Sequence, residues 1–435
     1  LAGIRSLFLA NWLLIALLWL QHGGLDLASS PSGTLIAGGR LSALFGSYLA
    51  LVGLVLVART PFVETLLGDR AAAYHRRLAV SSIALIATHV ACTVGGYALA
   101  GSIPFLDEFT AEVITYPYML AGLVGFGLLL AIGASSVPPI RSRLSHETWT
   151  GIHLYAYLAI VLAMGHQLAV GSDFTTDTLA RVYWIGLYIA VFGLIVRYRI
   201  MAPVSMLTRH RFRVDRVVLE TSDTVSIYVG GRDLYDIDVR AGQYFRVRLL
   251  ARNEWWRSHP FSISELPDGH SLRFTVRALG DFSGRLQSVR VGTRVMLEGP
   301  YGALTSSLRT SPGVALIAGG IGVTPIRALF EELAGKVDVK LIYRASRAED
   351  LVFWDELWRI ERRPRSAVLW LVGRRGSSAM PGDPLSARAL GELVPDIQAR
   401  DVFVCGPAKM MDAVVRSLRQ LGVPPHRIHS ERFAA

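Results

Sequence analysis

Four histidines, His75, His89, His153 and His166, fall as two pairs on two apolar segments in the first half of the chain. The first pair is 14 residues apart and the second 13. At ~1.5 Å rise per helical residue, each pair is separated by roughly 20 Å. Imidazole is a good axial ligand for heme iron, and an ionisable residue inside a bilayer is costly enough to imply a function. The spacing therefore predicts two stacked hemes, one near each leaflet, with these four side chains as iron ligands. At ~100° per residue, 14 steps return to within about 40° of the starting face, whereas 13 steps miss by about 140°. His153 and His166 thus need a π-bulge or kink, expected near Gly165, to share a face. The competing reading is four isolated polar residues bonded to neighbouring helices or snorkelling to an interface.

Three further constellations lie in the second half. His259-Pro260-Phe261-Ser262 follows the stretch Gly242-Gln243-Tyr244, and a hydroxyl beside an aromatic on one strand can bond the N5 edge of a flavin. Taken alone, that segment also reads as an ordinary amphipathic strand. Arg277, Gly280, Phe282, Ser283 and Gly284 form a glycine-containing turn leading into a helix-like stretch, where backbone N–H groups and a cation can hold a pyrophosphate. Gly299-Pro300-Tyr301-Gly302 reads as the turn that closes this region. Gly319-Gly320-Ile321-Gly322-Val323-Thr324-Pro325 sits between a buried-strand run and a helix-like segment, the context that gives a glycine motif meaning as a dinucleotide site. Cys405-Gly406-Pro407 follows another apolar strand, at the carboxyl edge where ligands bind in open α/β sheets, with a buried structural cysteine as the alternative. Arg344, Arg347, Arg374 and Arg375 follow other strand ends and can grip an adenosine 2′-phosphate, or simply be solvated.

These residues need a membrane half and a soluble half to position them. The chain has 435 residues, 51% of them hydrophobic, and the apolarity is concentrated before residue 200. Low-charge runs at about 4–20, 41–58, 78–100, 113–134, 152–171 and 182–196 are each near the ~20 residues that cross hydrocarbon, which predicts six transmembrane helices. The first is read as a retained helix, since it lacks a convincing small-residue cleavage site. Arg59, Arg70, Arg76, Arg77, Arg141, Arg143, Arg197 and Arg199 mark the cytoplasmic side, while Asp26, Asp107, Glu108, Asp173 and Asp177 lie in the opposite loops. The net charge of +11 follows these membrane edges and forms no single patch, so nucleic acid is not an expected partner. Cys92 falls in a predicted span and Cys405 in the soluble half, so no disulfide is expected. Past residue 198 come short alternating strands that predict a small antiparallel barrel, and from about residue 313 a βαβ rhythm predicts a parallel nucleotide-binding sheet.

The ordered combination of these motifs resembles the NADPH oxidase/ferric reductase superfamily, in a minimal, prokaryotic-type form. The resemblance covers nearly the whole chain. It implies a multi-domain fold: a six-helix transmembrane bundle (1–202) holding two b-type hemes, an FAD-binding β-barrel domain (203–310) and an α/β NAD(P)H-binding domain (311–435), with the N-terminus and both dehydrogenase domains cytoplasmic. It implies electron flow from NADPH through FAD and the hemes to an acceptor outside the bilayer, either oxygen, giving superoxide, or a ferric chelate; a partner protein is a further alternative. By resemblance, Ser262 is the hydroxyl near the flavin, Cys405 lies beside the nicotinamide C4, and Phe433 is the C-terminal aromatic that covers the flavin. Arg40, at the outer start of the second helix, resembles an arginine bordering the outer heme and oxygen site of superoxide-producing members. The histidines that accompany it there are matched by Thr93 and Gln167.

Overall fold

The computed structural model of the protein describes residues 2–431 apart from 69, 253, 375, 378, 379 and 381. The chain divides into two units, Leu1–Arg199 and Ile200–Ala435. Two residues singled out in the sequence, Arg375 and Phe433, lie outside the described residues.

The first unit is helical: α1 (Ala2–Gln21), α2 (Pro31–Val57), α3 (Pro61–Leu67), α4 (Arg70–Gly101), α5 (Phe105–Thr115), α6 (Met119–Ser136), α7 (Pro138–Arg141), α8 (His146–Val170), α9 (Ser172–Thr175) and α10 (Thr178–Ile195). Their starts are written locally. Ser30 caps α2 through a bond from Gly33 N (3.1 Å) with Pro31 in the first turn, Ser145 caps α8, and Asp177 accepts from Leu179 N and Ala180 N to cap α10. Among the described residues, five helical stretches are long and apolar enough to cross a membrane: α2, α4, α6, α8 and Thr178–His210. The sequence led us to expect six; the apolar part of the first helix, Ser6–Gln21, is shorter than the others. Apolar side chains face outward along these helices, among them Val80, Leu120 and Ile189, each more than 60% exposed. Such a surface suits lipid and not water. The inner packing joins Tyr48, Leu51 and Leu54 of α2 to Trp184, Tyr188 and Val191 of α10.

The second unit begins with α11 (Ala202–His210) and has two lobes. The first contains β1 (Arg213–Thr221), β2 (Thr224–Gly230), β3 (Tyr244–Leu249), β4 (His259–Ser262), β5 (Ser271–Arg277), α12 (Asp281–Leu286) and β6 (Val295–Tyr301). These strands make two antiparallel sheets, ordered β1-β2-β5 and β4-β3-β6. Bridges at Arg213 with Arg294 and at Ile263 with Phe274 join their edges. The strict alternation of buried Phe245, Val247 and Leu249 on β3 puts one face into a core shared with Ile227, Phe274 and Leu297.

The second lobe contains β7 (Gly313–Gly319), α13 (Val323–Leu333), β8 (Asp338–Ala345), α14 (Trp354–Glu361), β9 (Ser366–Val372), α15 (Ala387–Leu393), β10 (Asp401–Cys405), α16 (Ala408–Gln420) and β11 (Ile428–Ser430). Its five strands are parallel, in the order β11-β10-β7-β8-β9. Near-continuous apolar runs such as Val314–Ala318 and Val402–Cys405 are fully buried, as strands covered on both faces require. The chain leaves β7 toward β8 on one side and β10 lies on the other, so the topological switch point falls between β7 and β10.

Candidate functional site

In the membrane unit the two α4 histidines are held by the neighbouring helix. His75 Nδ1 donates to the carbonyl of Gly53 (2.9 Å) and His89 Nδ1 to that of Gly39 (3.1 Å). A carbonyl can only accept, so each Nδ1 carries the proton and each Nε2 presents a lone pair, the tautomer that a metal-ligating imidazole with backbone support adopts. Between them, Ser82 Oγ donates to Gly46 O (2.7 Å). The result is an antiparallel ladder with a rung every seven residues. The small residues permit the approach: a Cβ on Gly39 would lie 2.5 Å from Thr93 Oγ1, and one on Gly46 would lie 2.9 Å from Ile86 Cγ1. Neither the glycine heptad 39/46/53 nor its partner set 75/82/89 was singled out in the sequence, although both spacings stand in it.

The α8 histidines come to the same two levels without a bulge. His153 faces His75 with ring centroids 6.0 Å apart, and His166 lies within electrostatic reach of His89. That separation accommodates one metal ion between two imidazole nitrogens at bonds of about 2 Å each. The π-bulge expected near Gly165 is not there, because α8 is α-helical throughout; a π-helical turn is found instead at Val196–Met201. With the two rings on different sides of α8, His166 seats in a notch on α6, where a Cβ on Gly122 would lie 2.6 Å from its Nδ1. The Nδ1 atoms of His153 and His166 are both buried with no hydrogen-bond partner among the described residues, unlike those on α4. The donor set, its paired arrangement and its dry setting fit heme.

Inside α2, and not at its start as the sequence suggested, Arg40 Nη2 donates to Asp173 Oδ1 (2.7 Å) and to His22 O (3.3 Å), and both charged side chains are nearly buried. Arg40 is therefore already neutralised. Thr93 Oγ1 lies 3.1 Å from His89 Nδ1, and Gln167 bonds Ser47, Trp184 and Tyr188.

In the two-sheet lobe, Tyr244 of β3 stands in register between Ser262 of β4 and Tyr301 of β6. Ser262 is buried and its Oγ has no hydrogen-bond partner among the described residues, an orphaned group that the edge of a flavin would satisfy. Phe282 stacks on His259 (centroids 4.3 Å apart) and packs near-parallel to Phe261, joining the 280–284 turn to the His-Pro-Phe-Ser strand. Ser283 Oγ accepts from Leu279 N and Gly280 N, which fixes that turn. Arg277 reaches Asp223 (2.7 Å) and Asp350 (3.3 Å), so its charge is partnered.

In the parallel-sheet lobe the glycine turn and the cysteine motif meet at the switch point. Cys405 pairs with Ala318 across β10 and β7, and a Cβ on Gly322 would lie 2.5 Å from Cys405 O. Gly320 has φ +53°, a conformation that favours glycine. Gly319 and Gly406 abut one another, Thr324 Oγ1 donates to Ile321 O, Pro325 stands in the first turn of α13, and Pro407 precedes α16. Cys405 is fully buried; burial, reinforced by Glu431, pushes its thiol well above the usual range, so it stays protonated. Glu431 is itself buried, with Oε1 2.8 Å from where a Cβ on Gly302 would stand. Its burial near Cys405 is visible only in the fold. Of the arginines, Arg344 turns onto the carbonyls of Ala345, Leu371 and Gly373, Arg347 pairs with Asp350, and Arg374 is exposed.

Three family models match the chain in succession: ferric reductase like transmembrane component over residues 42–164, FAD-binding domain over 209–305, and oxidoreductase NAD-binding domain over 316–416. The chain belongs to the ferric reductase/NADPH oxidase-like superfamily. This ferric-reductase-like protein is 30% identical over 244 residues to the glycine betaine monooxygenase reductase subunit of Chromohalobacter salexigens, covering 52% of this chain and 65% of that one. It is also 30% identical over 237 residues to the NADH oxidoreductase HCR of Escherichia coli, covering 51% and 67%. The chain thus spans somewhat less than two thirds of the first relative's length. Among solved structures, the flavohem-like FAD/NAD binding domain of nitric oxide dioxygenase from Vibrio cholerae is 26% identical over 51% of this chain and 98% of that one, with a TM-score of 0.46. By the family models, the ferric-reductase-like chain joins a ferric-reductase-like transmembrane component to an FAD-binding domain and an oxidoreductase NAD-binding domain.

Proposed function

We propose that this protein carries electrons across a bilayer from cytosolic NADPH, by way of FAD and two b-type hemes, to oxygen on the outer face, producing superoxide. The chemistry that FAD and the hemes supply when bound is acceptance of a hydride followed by one-electron transfer. The observation that carries the reading is the pairing of His75 with His153 at 6.0 Å, each α4 imidazole having its Nδ1 turned to a glycine carbonyl and its Nε2 left to ligate. His75 and His153 would hold an inner heme, and His89 and His166 an outer one. The two bridged three-stranded sheets are read as the FAD barrel. Its strand offers Tyr244, His259, Pro260, Phe261 and Ser262 to the flavin, and the turn of Gly280 and Ser283 supports the pyrophosphate with Arg277. Gly319, Gly320, Gly322, Thr324 and Pro325 receive NADPH, while Cys405, Gly406 and Pro407 line the approach of its nicotinamide. A protonated, buried thiol there excludes water and shapes the pocket without acting as a nucleophile.

A ferric-chelate reductase with the same internal path is the second reading. The ion pair of Arg40 with Asp173 favours it, because a paired arginine has little net charge left to stabilise superoxide. Anaerobic addition of NADPH to the FAD-loaded, detergent-purified protein should reduce a two-heme spectrum. Reoxidation by oxygen with superoxide yield supports the oxidase; slow reoxidation by oxygen and fast reoxidation by ferric chelate supports the reductase. A spectrum without a Soret band would end both readings.

A further inference from the structure

One buried charge network joins the two lobes of the second unit. Arg273, on β5, is 1% exposed and spends its guanidinium in two directions. Toward its own lobe it donates to Ser264, through Nε to Oγ (3.0 Å) and through Nη2 to the carbonyl (2.7 Å). Toward the other lobe it makes a bidentate pair with Glu356 of α14 (2.7 and 3.0 Å) and lies over the ring of Phe353, 4.6 Å from its centroid. Glu356 also accepts from Arg327 of α13 (2.7 Å), and Arg327 pairs with Glu331, whose Oε2 accepts from Leu266 N (3.1 Å). Glu265 lies 3.3 Å from Arg273. Burial alone would raise the Glu356 carboxyl, but the two arginines outweigh it and hold it below the usual range, so the network is charged at neutral pH.

The two ends of this chain of contacts bear on the cofactor sites. Ser264 is two residues beyond Ser262 on the same extended segment, and α13 begins directly after the Gly319–Gly322 turn. We propose that Arg273, Glu356 and Arg327 are positioning residues that fix the flavin-side strand against the dinucleotide-binding helix, and so set the approach of the nicotinamide C4–H to the flavin N5 for hydride transfer. In that step the C4–H bond breaks with its electron pair, the N5–H bond forms, and oxidised nicotinamide leaves. A misplacement of about 1 Å costs up to ~10²-fold in such a reaction while leaving both ligands bound. This rests on reading the two motifs as the FAD and NADPH sites.

The test is stopped-flow, anaerobic flavin reduction in the full-length protein, with FAD content, NADP⁺ affinity and amide hydrogen exchange at Leu266 measured in parallel. Arg273→Met and Glu356→Gln should each slow flavin reduction by about 10- to 100-fold, with FAD content and NADP⁺ affinity within about twofold of the wild type. Exchange at Leu266 should rise. Should Arg273→Met lose FAD or fail to fold, the milder Glu356→Gln decides. Wild-type reduction rates in a folded, FAD-replete Glu356→Gln protein would overturn the proposal, as would a loss of rate fully accounted for by lost FAD or NADP⁺ binding. A wild-type protein whose flavin NADPH does not reduce would instead overturn the site reading beneath it.

Discussion

Ser262 and Cys405 are both buried polar side chains at strand ends, and burial does different things to them. The Ser262 hydroxyl has no partner among the described residues, so a ligand that bonds it recovers the cost of its desolvation. Ser262→Ala should slow flavin reduction by about tenfold, the equivalent of one such bond, with little change in FAD content. The Cys405 thiol, held protonated, should resist iodoacetamide at pH 8 in the folded protein; mass spectrometry showing its rapid alkylation would contradict the burial described here. His89→Ala or His166→Ala should remove one heme and leave NADPH-dependent flavin reduction intact, whereas retention of both hemes would sink the ligand assignment. Arg374→Ala should weaken NADPH by about tenfold more than NADH, as loss of a charged hydrogen bond to a 2′-phosphate requires; equal weakening would argue for a solvated role. At this scale the local setting of the contiguous motifs was legible in the sequence, because each is one turn or strand end. Arg344 was not, because its carbonyl partners Leu371 and Gly373 stand on a neighbouring strand end, and only the β8–β9 register brings them to it.

At the scale of elements, the α2–α4 ladder explains why glycine recurs where the helices meet. Gly46→Leu would drive a side chain into Ile86 and Leu85, parting the helices at the midpoint between both histidine rungs. Overpacking of this kind costs about 1–3 kcal/mol, and heme content should fall below two per chain by pyridine hemochrome assay. The spacing was present in the sequence, but it acquires meaning only once α2 and α4 are known to run antiparallel in that register. The expected bulge in α8 came from assuming that both its histidines must share one face; the Gly122 notch lets His166 work from another. In the parallel sheet, buried Asp401 accepts from Thr310 N, Ser311 N, Ser311 Oγ and His429 Nε2. Burial would raise its carboxyl, but these donors outweigh it and lower it. A depressed carboxyl contributes stability that is fully present above the unfolded value near ~3.9 and is lost as pH falls through the folded value. Thermal stability should therefore fall below about pH 4, and Asp401→Asn should both flatten that dependence and cost about 1–3 kcal/mol at neutral pH.

At the scale of the whole molecule, the sequence divided the chain into apolar and soluble halves because hydropathy and strand alternation are read locally. The number of spans was harder to read, since the apolar part of the first helix is shorter than those of the other five candidates. Reconstitution into sealed vesicles tests the electron path directly: NADPH added on one face should reduce an impermeant acceptor enclosed on the other. The ladder carries one more consequence, for how such a protein comes apart. A carbonyl partner strengthens a ligating imidazole and holds its ring in place, and α2 gives this support to both α4 histidines, whereas the Nδ1 atoms of His153 and His166 have no such partner among the described residues. Metal–ligand bonds should therefore break first on the α8 side under acid or detergent stress. If these histidines hold heme, His75 and His89 would be the last to release it, and exogenous imidazole or carbon monoxide should bind more readily after such stress.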